Sequence, residues 1–156
     1  MKLRNLFAVA VLSLVAASCS DDDEVVNNGA EFAGSYEGEM VQVVMGSESK
    51  SESTLSLKVQ KDNRLTIVFS AAGEGSMATP EIQLENLAFV ANDKGECTFS
   101  ISKTDTIRVF NAELRKEYLY TNMNGTVKDQ KLNLTYDCKL GKMPFWMNAT
   151  FNGTKK

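Results

Sequence analysis

Alternation of apolar and polar residues runs through most of this chain and restricts it to an all-β fold. Leu55, Leu57 and Val59 alternate with polar neighbours, and the same two-residue period returns in segment after segment. Because successive side chains of a strand point to opposite faces, this period is typical of half-buried strands. Polar turns such as Asp62-Asn63 separate the segments, as they do in hairpins. The pattern therefore predicts strands from end to end and no long helix.

The number and spacing of these segments indicate the architecture. Eight strands of ~10 residues with ~4-residue turns need roughly 112 residues, which suits the 156 residues of the chain. The apolar phase slips between Leu84 and Leu87, so a β-bulge is expected near Glu85 and Asn86. Residues 111–117 fit either a capped helical turn or the charged edge of a strand. We expect an eight-stranded antiparallel up-and-down barrel, with a β-sandwich as the alternative.

The first residues have the layout of a secretory signal peptide. Lys2 and Arg4 precede an uncharged, mostly apolar run over residues 6–18, which is too short to span a membrane as a helix. The small residues before Cys19 resemble the lipobox of bacterial lipoproteins, in which the cysteine is acylated and becomes the first residue. Ala16 stands where leucine is usual in that motif. The alternative is an ordinary signal peptide in which Cys19 is incidental.

An acidic segment follows this cysteine. It consists of Ser20, Asp21, Asp22, Asp23 and Glu24. The segment resembles the surface-export signal of lipoproteins in gut-dwelling Gram-negative anaerobes, and otherwise it is a solvated tether. We therefore expect a lipid-anchored protein of the outer membrane, exposed at the cell surface. Its parts would be a signal peptide over 1–18, the lipidated Cys19 with the export signal and linker over 19–30, and the barrel domain over 31–156.

Two short stretches at the ends of the predicted domain resemble a known family. Phe32–Gly38 (FAGSYEG) and Ala149–Thr154 (ATFNGT) look like the ends of the calycin-like lipoproteins of the same bacterial group. Gly34-Ser35-Tyr36 is also similar to the Gly-x-Trp motif at the start of lipocalin barrels, with tyrosine in place of tryptophan. The resemblance implies an eight-stranded antiparallel, lipocalin-like barrel and no assigned activity. By analogy with lipocalins it implies a small apolar ligand.

The composition excludes several classes of function. The chain contains no histidine, which excludes Ser-His-Asp and Cys-His catalysis and histidine-ligated metal sites. Its formal net charge of −3 gives no support to nucleic-acid binding, which needs a basic face. The acidic residues are scattered, so no carboxylate pair indicates glycoside hydrolysis. We expect a protein that is not an enzyme and carries no cofactor or metal.

Two cysteines lie within the predicted domain. Cys97 and Cys138 both fall on the apolar phase of their segments. A disulfide between them would close a loop of about 41 residues and contribute roughly 4 kcal/mol. The alternative is a pair of buried free thiols that act as small hydrophobic side chains.

Three aromatic residues are the candidates for ligand binding. Trp146, the one tryptophan, falls on the polar phase of the last segment. It could stack on a sugar or fill a partner's pocket, or it could plug an end of the barrel. Tyr118 and Tyr120 lie on the phase opposite Leu119 and Met123, which predicts an outward aromatic patch or cross-strand packing.

These residues lead to two functional hypotheses. The first is a non-catalytic protein that binds a small apolar or glycan-like ligand in or at the mouth of the barrel. The alternative is a structural or accessory surface lipoprotein with a packed barrel that binds protein partners through its loops. In addition, Asp105-Thr106-Ile107 resembles an O-glycosylation acceptor of exported proteins in these bacteria, so Thr106 is expected to face outward.

Overall fold

A computed structural model of the protein describes residues 29–72 and 79–156. The predicted signal peptide, Cys19 and the acidic segment lie outside these residues. Short 3-10 helices occupy Ala30–Phe32 and Lys61–Asn63. The strands are β1 (Gly34–Val44), β2 (Ser47–Gln60), β3 (Arg64–Phe69), β4 (Ile82–Asn92), β5 (Glu96–Ile101), β6 (Ile107–Asn111), β7 (Lys116–Lys128), β8 (Lys131–Leu140) and β9 (Met147–Lys155).

The strands form a closed antiparallel barrel with eight positions around its wall. Each strand pairs with its neighbours in the order β5-β4-β3-β2-β1-β9-β8-β7-β6, and β5 closes the ring by pairing with β7. β5 pairs with Met123–Lys128 of β7, whereas β6 pairs with Lys116–Tyr120 on the same side of β7. β5 and β6 therefore act as one interrupted strand. This arrangement confirms the eight-stranded antiparallel barrel and excludes the β-sandwich.

The two ends of the barrel differ. The 3-10 helix Ala30–Phe32 lies at the end that also carries the β2–β3, β4–β5 and β7–β8 turns. Phe32 is buried there, and the Tyr36 hydroxyl donates a hydrogen bond of 2.7 Å to the Phe32 carbonyl. Tyr36, the residue in the tryptophan position of the lipocalin-like motif, is itself fully buried. We call this the closed end, and we call the opposite end the mouth.

The bulge predicted in β4 is confirmed. Leu65 pairs with Leu87, whereas Ile67 pairs with Leu84, so β4 has one residue more than β3 between these two pairs. Asn86 has a φ of 61°, the left-handed conformation that such an extra residue often adopts. The bulge lets Leu84 and Leu87 both face the core.

A second bulge, in β7, was not expected. The register between β7 and β8 shifts between Thr121 and Asn124, and Asn122 has a φ of 48°. Tyr118 and Tyr120 face the interior before the bulge, and Met123 faces it afterwards. The predicted outward patch of tyrosines is therefore wrong, because strict alternation does not continue through the bulge.

The ambiguous segment 111–117 forms a tight connection between strands. Residues 112–115 are a turn, and Lys116 begins β7. The Asn111 side-chain oxygen accepts a hydrogen bond of 2.8 Å from the Leu114 amide, a local contact typical of asparagine in turns. The segment is thus a hairpin turn at the mouth.

Candidate functional site: a cavity at the mouth of the barrel

A cavity of about 1060 Å³ occupies the mouth half of the barrel. Small-molecule sites usually measure ~300–1,000 Å³, so the space is large enough for a ligand. Its inner part is lined by apolar and aromatic side chains, namely Met40, Leu55, Phe69, Ile82, Tyr120, Tyr136 and Met147. Its rim carries polar and charged side chains, among them Glu52, Arg115, Lys116 and Lys142.

Three aromatic rings form the floor of the cavity. Phe69 and Tyr120 are stacked with ring centroids 5.3 Å apart, and Tyr136 packs edge-on against Phe69 at 5.3 Å. Tyr120 and Tyr136 are 5.8 Å apart. Each such pair contributes about 0.5–1.5 kcal/mol beyond its buried area, which keeps the floor in one arrangement. The Tyr136 hydroxyl donates to the Met40 sulfur at 3.7 Å, so the floor offers mainly apolar surface.

The Tyr118 hydroxyl is buried and has no hydrogen-bond partner among the described residues. The side chain of Tyr118 is 1% exposed and lines the cavity. No residue within 29–72 or 79–156 forms a hydrogen bond with this hydroxyl. A buried polar group left in this state costs about 1–3 kcal/mol. A hydroxyl of this kind in a cavity wall is a natural contact for a bound ligand.

Comparison with known proteins identifies the family of this barrel. The family described as Calycin-like beta-barrel domain matches residues 32–154. The chain belongs to the calycin-like β-barrel family. This confirms the fold and the family that the end motifs at Phe32–Gly38 and Ala149–Thr154 indicated.

One solved structure shares the calycin-like architecture. It is the crystal structure of a Bacteroides fragilis protein provisionally named an outer membrane protein. The two chains are 18% identical and superpose with a TM-score of 0.63. The match covers 83% of this chain but 53% of the other, so this chain spans about half the length of that protein. At this identity the likeness shows the fold alone. A search of curated proteins found no match to this chain.

The two cysteines of the calycin-like barrel are free and buried, which corrects the disulfide hypothesis. Cys97 is level with Val127 near the closed end, whereas Cys138 is level with Tyr120 near the mouth. Seven residues of β7 separate these two levels, or ~20 Å along the strand. A disulfide requires Cα atoms within about 7 Å of each other, so the two thiols cannot join.

The surroundings of the two thiols differ. Cys138 lines the cavity, and Cys97 does not. Burial, with a smaller effect of the Asp137 carboxylate, raises the pKa of Cys138 to about 12. Burial, with a smaller effect of Glu31, raises the pKa of Cys97 to about 11. Both thiols are therefore protonated at neutral pH and are weak nucleophiles.

The remaining candidates lie outside the cavity. Trp146 is in the β8–β9 loop at the mouth end, is 45% exposed and does not line the cavity, so it is not a plug. Thr106 lies in the connection between β5 and β6 and is exposed, as an acceptor of a glycan must be. Its glycosylation stays a prediction.

Residues 29–72 and 79–156 contain no cluster of three or more metal-ligating His, Cys, Asp or Glu side chains. No helix in these ranges is long and apolar enough to cross a membrane.

Sequence reasoning identified part of this site and missed the rest. It named Tyr118 and Tyr120, but as an outward patch or as cross-strand packing and not as parts of a cavity wall. It gave no binding role to Phe69, Tyr136 or Lys116. The alternation of β3 and β8 does place Phe69 and Tyr136 inside the barrel, but it does not show which end of a strand lines an open cavity.

Proposed function

We propose that this calycin-like barrel is a non-catalytic binding protein that takes a small apolar ligand through its mouth. The observation that carries the proposal is the cavity of about 1060 Å³ with its aromatic floor. An eight-stranded barrel can fill its interior with side chains or hold one small ligand. Among the described residues, core side chains fill the closed half and the cavity occupies the mouth half, which favours the ligand.

The chemistry of the floor supports an apolar ligand over a glycan. Phe69, Met40 and Met147 offer no strong hydrogen-bonding group, and the Tyr136 hydroxyl already donates to Met40. A sugar has more hydroxyl groups than the Tyr120 and Tyr136 hydroxyls can bind, and each sugar group left unpaired on this floor would cost about 1–3 kcal/mol. An apolar body gains about 25 cal/mol for each Å² that it buries.

The location we propose is the outer surface of the cell, with Cys19 as the lipid anchor. The chain enters the barrel through Ala30–Phe32, which packs across the closed end. A lipid anchor at Cys19 would be joined to the closed end of the barrel. The mouth would then lie at the end farther from the anchor. The name of the Bacteroides fragilis neighbour is consistent with an outer membrane location.

Labelling cells with radioactive palmitate tests the anchor, because the label should be lost in C19A. Protease treatment of intact cells tests exposure, because an inward-facing domain would be fully protected.

The loops at the mouth favour a second candidate function. They expose large apolar side chains: Met45 is 83% exposed, and Leu114 and Trp146 are each 45% exposed. Exposed apolar residues grouped at one end of a molecule are typical of protein contacts. A partner could therefore dock on the rim, as the loop-binding hypothesis requires. Cross-linking on intact cells tests this, and it should capture one defined partner that W146A and M45S lose.

A dye that fluoresces in apolar surroundings tests the cavity itself. N-phenyl-1-naphthylamine is uncharged and should bind the wild-type protein with a stoichiometry of one. Leu140 lines the cavity wall, and its neighbour Lys139 points outward on the same strand. Leu140→Trp should narrow the cavity and weaken dye binding about tenfold or more, whereas Lys139→Trp should leave it unchanged. Equal dye binding by both variants, each checked for its β-sheet circular dichroism, would exclude the cavity as the site.

A further inference from the structure

Cationic side chains line the mouth on the side of β7 and the β8–β9 loop. Of the residues that line the cavity, Arg115, Lys116 and Lys142 are cationic, and Glu52 is the one acidic residue among the described lining. Glu52 lies on β2, directly across the barrel from β7. The chain as a whole carries a net charge of −3. The described lining of the rim is therefore positively charged on the β7 side, opposite in sign to the chain as a whole.

The cationic side is continuous with the floor through β7. Lys116, Tyr118 and Tyr120 occupy alternate positions of this strand, and all three line the cavity. Lys116 is nearest the mouth and half-buried, and Tyr120 lies ~13 Å deeper, four residues along the strand. A ligand that enters along this wall would meet an ammonium group, then a hydroxyl, then an aromatic floor.

Two polar groups on this wall, the Lys116 ammonium and the Tyr118 hydroxyl, have no partner within the described part of the chain. Neither Lys116 nor the more exposed Arg115 and Lys142 forms a salt bridge with a residue of 29–72 or 79–156. The neighbouring Glu117 is instead paired with Arg108 at 3.0 Å. The Tyr118 hydroxyl is buried and is likewise unpaired within these residues. A half-buried cation above an unpaired donor is complementary to an anionic group that carries oxygen acceptors.

We propose that the ligand of this cavity is an anionic amphiphile, such as a carboxylic acid with a long apolar chain. Its anionic group lies between Lys116 and the Tyr118 hydroxyl, which both donate to its oxygens, and its apolar part covers the floor of Phe69, Tyr120 and Tyr136. Arg115 and Lys142 contribute positive potential that attracts the ligand to the mouth. This inference rests on the proposed function and adds the chemical class of the ligand.

A pair of ligands that differ in their head group tests the inference. Dodecanoate, below its micelle concentration, and dodecanol are each used to displace N-phenyl-1-naphthylamine. We expect Lys116→Gln to weaken dodecanoate about tenfold and to leave dodecanol unchanged, because a charged hydrogen bond is lost. Tyr118→Phe should weaken dodecanoate about fivefold. The matched control is Lys139→Gln, at the same end of the barrel on its outer face, which should bind both ligands as the wild type does.

The affinity for dodecanoate divided by the affinity for dodecanol decides the outcome. Because the two ligands share the same apolar chain, a change that affects only the binding of that chain leaves this ratio unchanged. If Lys116→Gln changes both affinities by the same factor, or neither, the anionic class is wrong while the proposed function stands. If the dye binds neither wild type nor control, and neither ligand protects the protein against thermal unfolding, the proposed function itself fails. The inference is supported if the ratio of dodecanoate affinity to dodecanol affinity falls in Lys116→Gln and in Tyr118→Phe but not in Lys139→Gln.

Discussion

Replacing Tyr118 by phenylalanine should stabilise the ligand-free protein. The change removes one hydroxyl that is buried without a hydrogen-bond partner in 29–72 or 79–156, and it keeps the ring that packs in the cavity wall. Leaving such a group unpaired costs about 1–3 kcal/mol, so its removal should raise the free energy of unfolding by about 1 kcal/mol or more. For a domain of this size, that gain raises the Tm by about 2–4 °C.

A second buried tyrosine supplies the control with the opposite sign. Tyr36 is also fully buried, but its hydroxyl donates a 2.7 Å hydrogen bond to the Phe32 carbonyl. Tyr36→Phe removes a bond that is made and should cost about 1 kcal/mol. The two substitutions delete the same atom from the same residue type, so the difference between them reports the bonding of the hydroxyl.

Urea unfolding followed by circular dichroism and Trp146 fluorescence measures both changes. With an m-value of about 1–3 kcal/mol/M, a gain of 1 kcal/mol moves the midpoint upward by about 0.3–1 M. In saturating dodecanoate, the difference in free energy of unfolding between Tyr118→Phe and the wild type should shrink by about 1 kcal/mol. The variant binds dodecanoate about fivefold more weakly, so the bound ligand stabilises it by that much less. The reasoning is refuted if Tyr118→Phe destabilises the ligand-free protein as much as Tyr36→Phe does.

Three further predictions concern the cysteines, the barrel wall and the mouth. Because folding raises the pKa of Cys97 to about 11 and of Cys138 to about 12, the folded protein keeps protons that the unfolded chain loses. Its free energy of unfolding should therefore fall as pH rises above about 9, and a constant value from pH 9 to 11 would contradict this. Gly38→Ala should destabilise the protein by about 1–3 kcal/mol or more in urea, because a Cβ there would lie 2.0 Å from the Asn152 carbonyl oxygen; wild-type stability would show that β1 and β9 pack less closely. Trp146→Ala should leave the affinity for the dye within twofold, since this residue does not line the cavity, and a larger loss would place it in the site.

The fold could be predicted from the sequence because the two-residue period is a local signal. The bulge in β4 was also visible, since the apolar phase itself slips between Leu84 and Leu87. The bulge in β7 was not, because Tyr118 and Leu119 are both apolar and either phase gives the strand an apolar face. Only the pairing with β8 decides which of them faces the interior.

The site was harder to predict because it depends on contacts that are distant in sequence. One end of the barrel is closed because Ala30–Phe32 packs across it, and the strand pattern does not reveal that contact. Tyr136 and Phe69 read as ordinary core residues in the pattern, and only the assembled barrel brings their rings together with Tyr120. In the sequence, Lys116 belongs to a short charged segment. Its inward position follows from the register of β7, which the sequence alone does not show.

Native mass spectrometry of the protein purified from the cells that produce it tests the central claim most directly. The account predicts a defined additional mass that disappears on denaturation, and whose fragmentation identifies an anionic amphiphile. Added dodecanoate should displace that mass one for one from the wild type, and less readily from Lys116→Gln. A mass of the protein alone that stays unchanged after incubation with dodecanoate, with dodecanol and with a lipid extract of the same cells would contradict the claim that this barrel binds a ligand in its cavity.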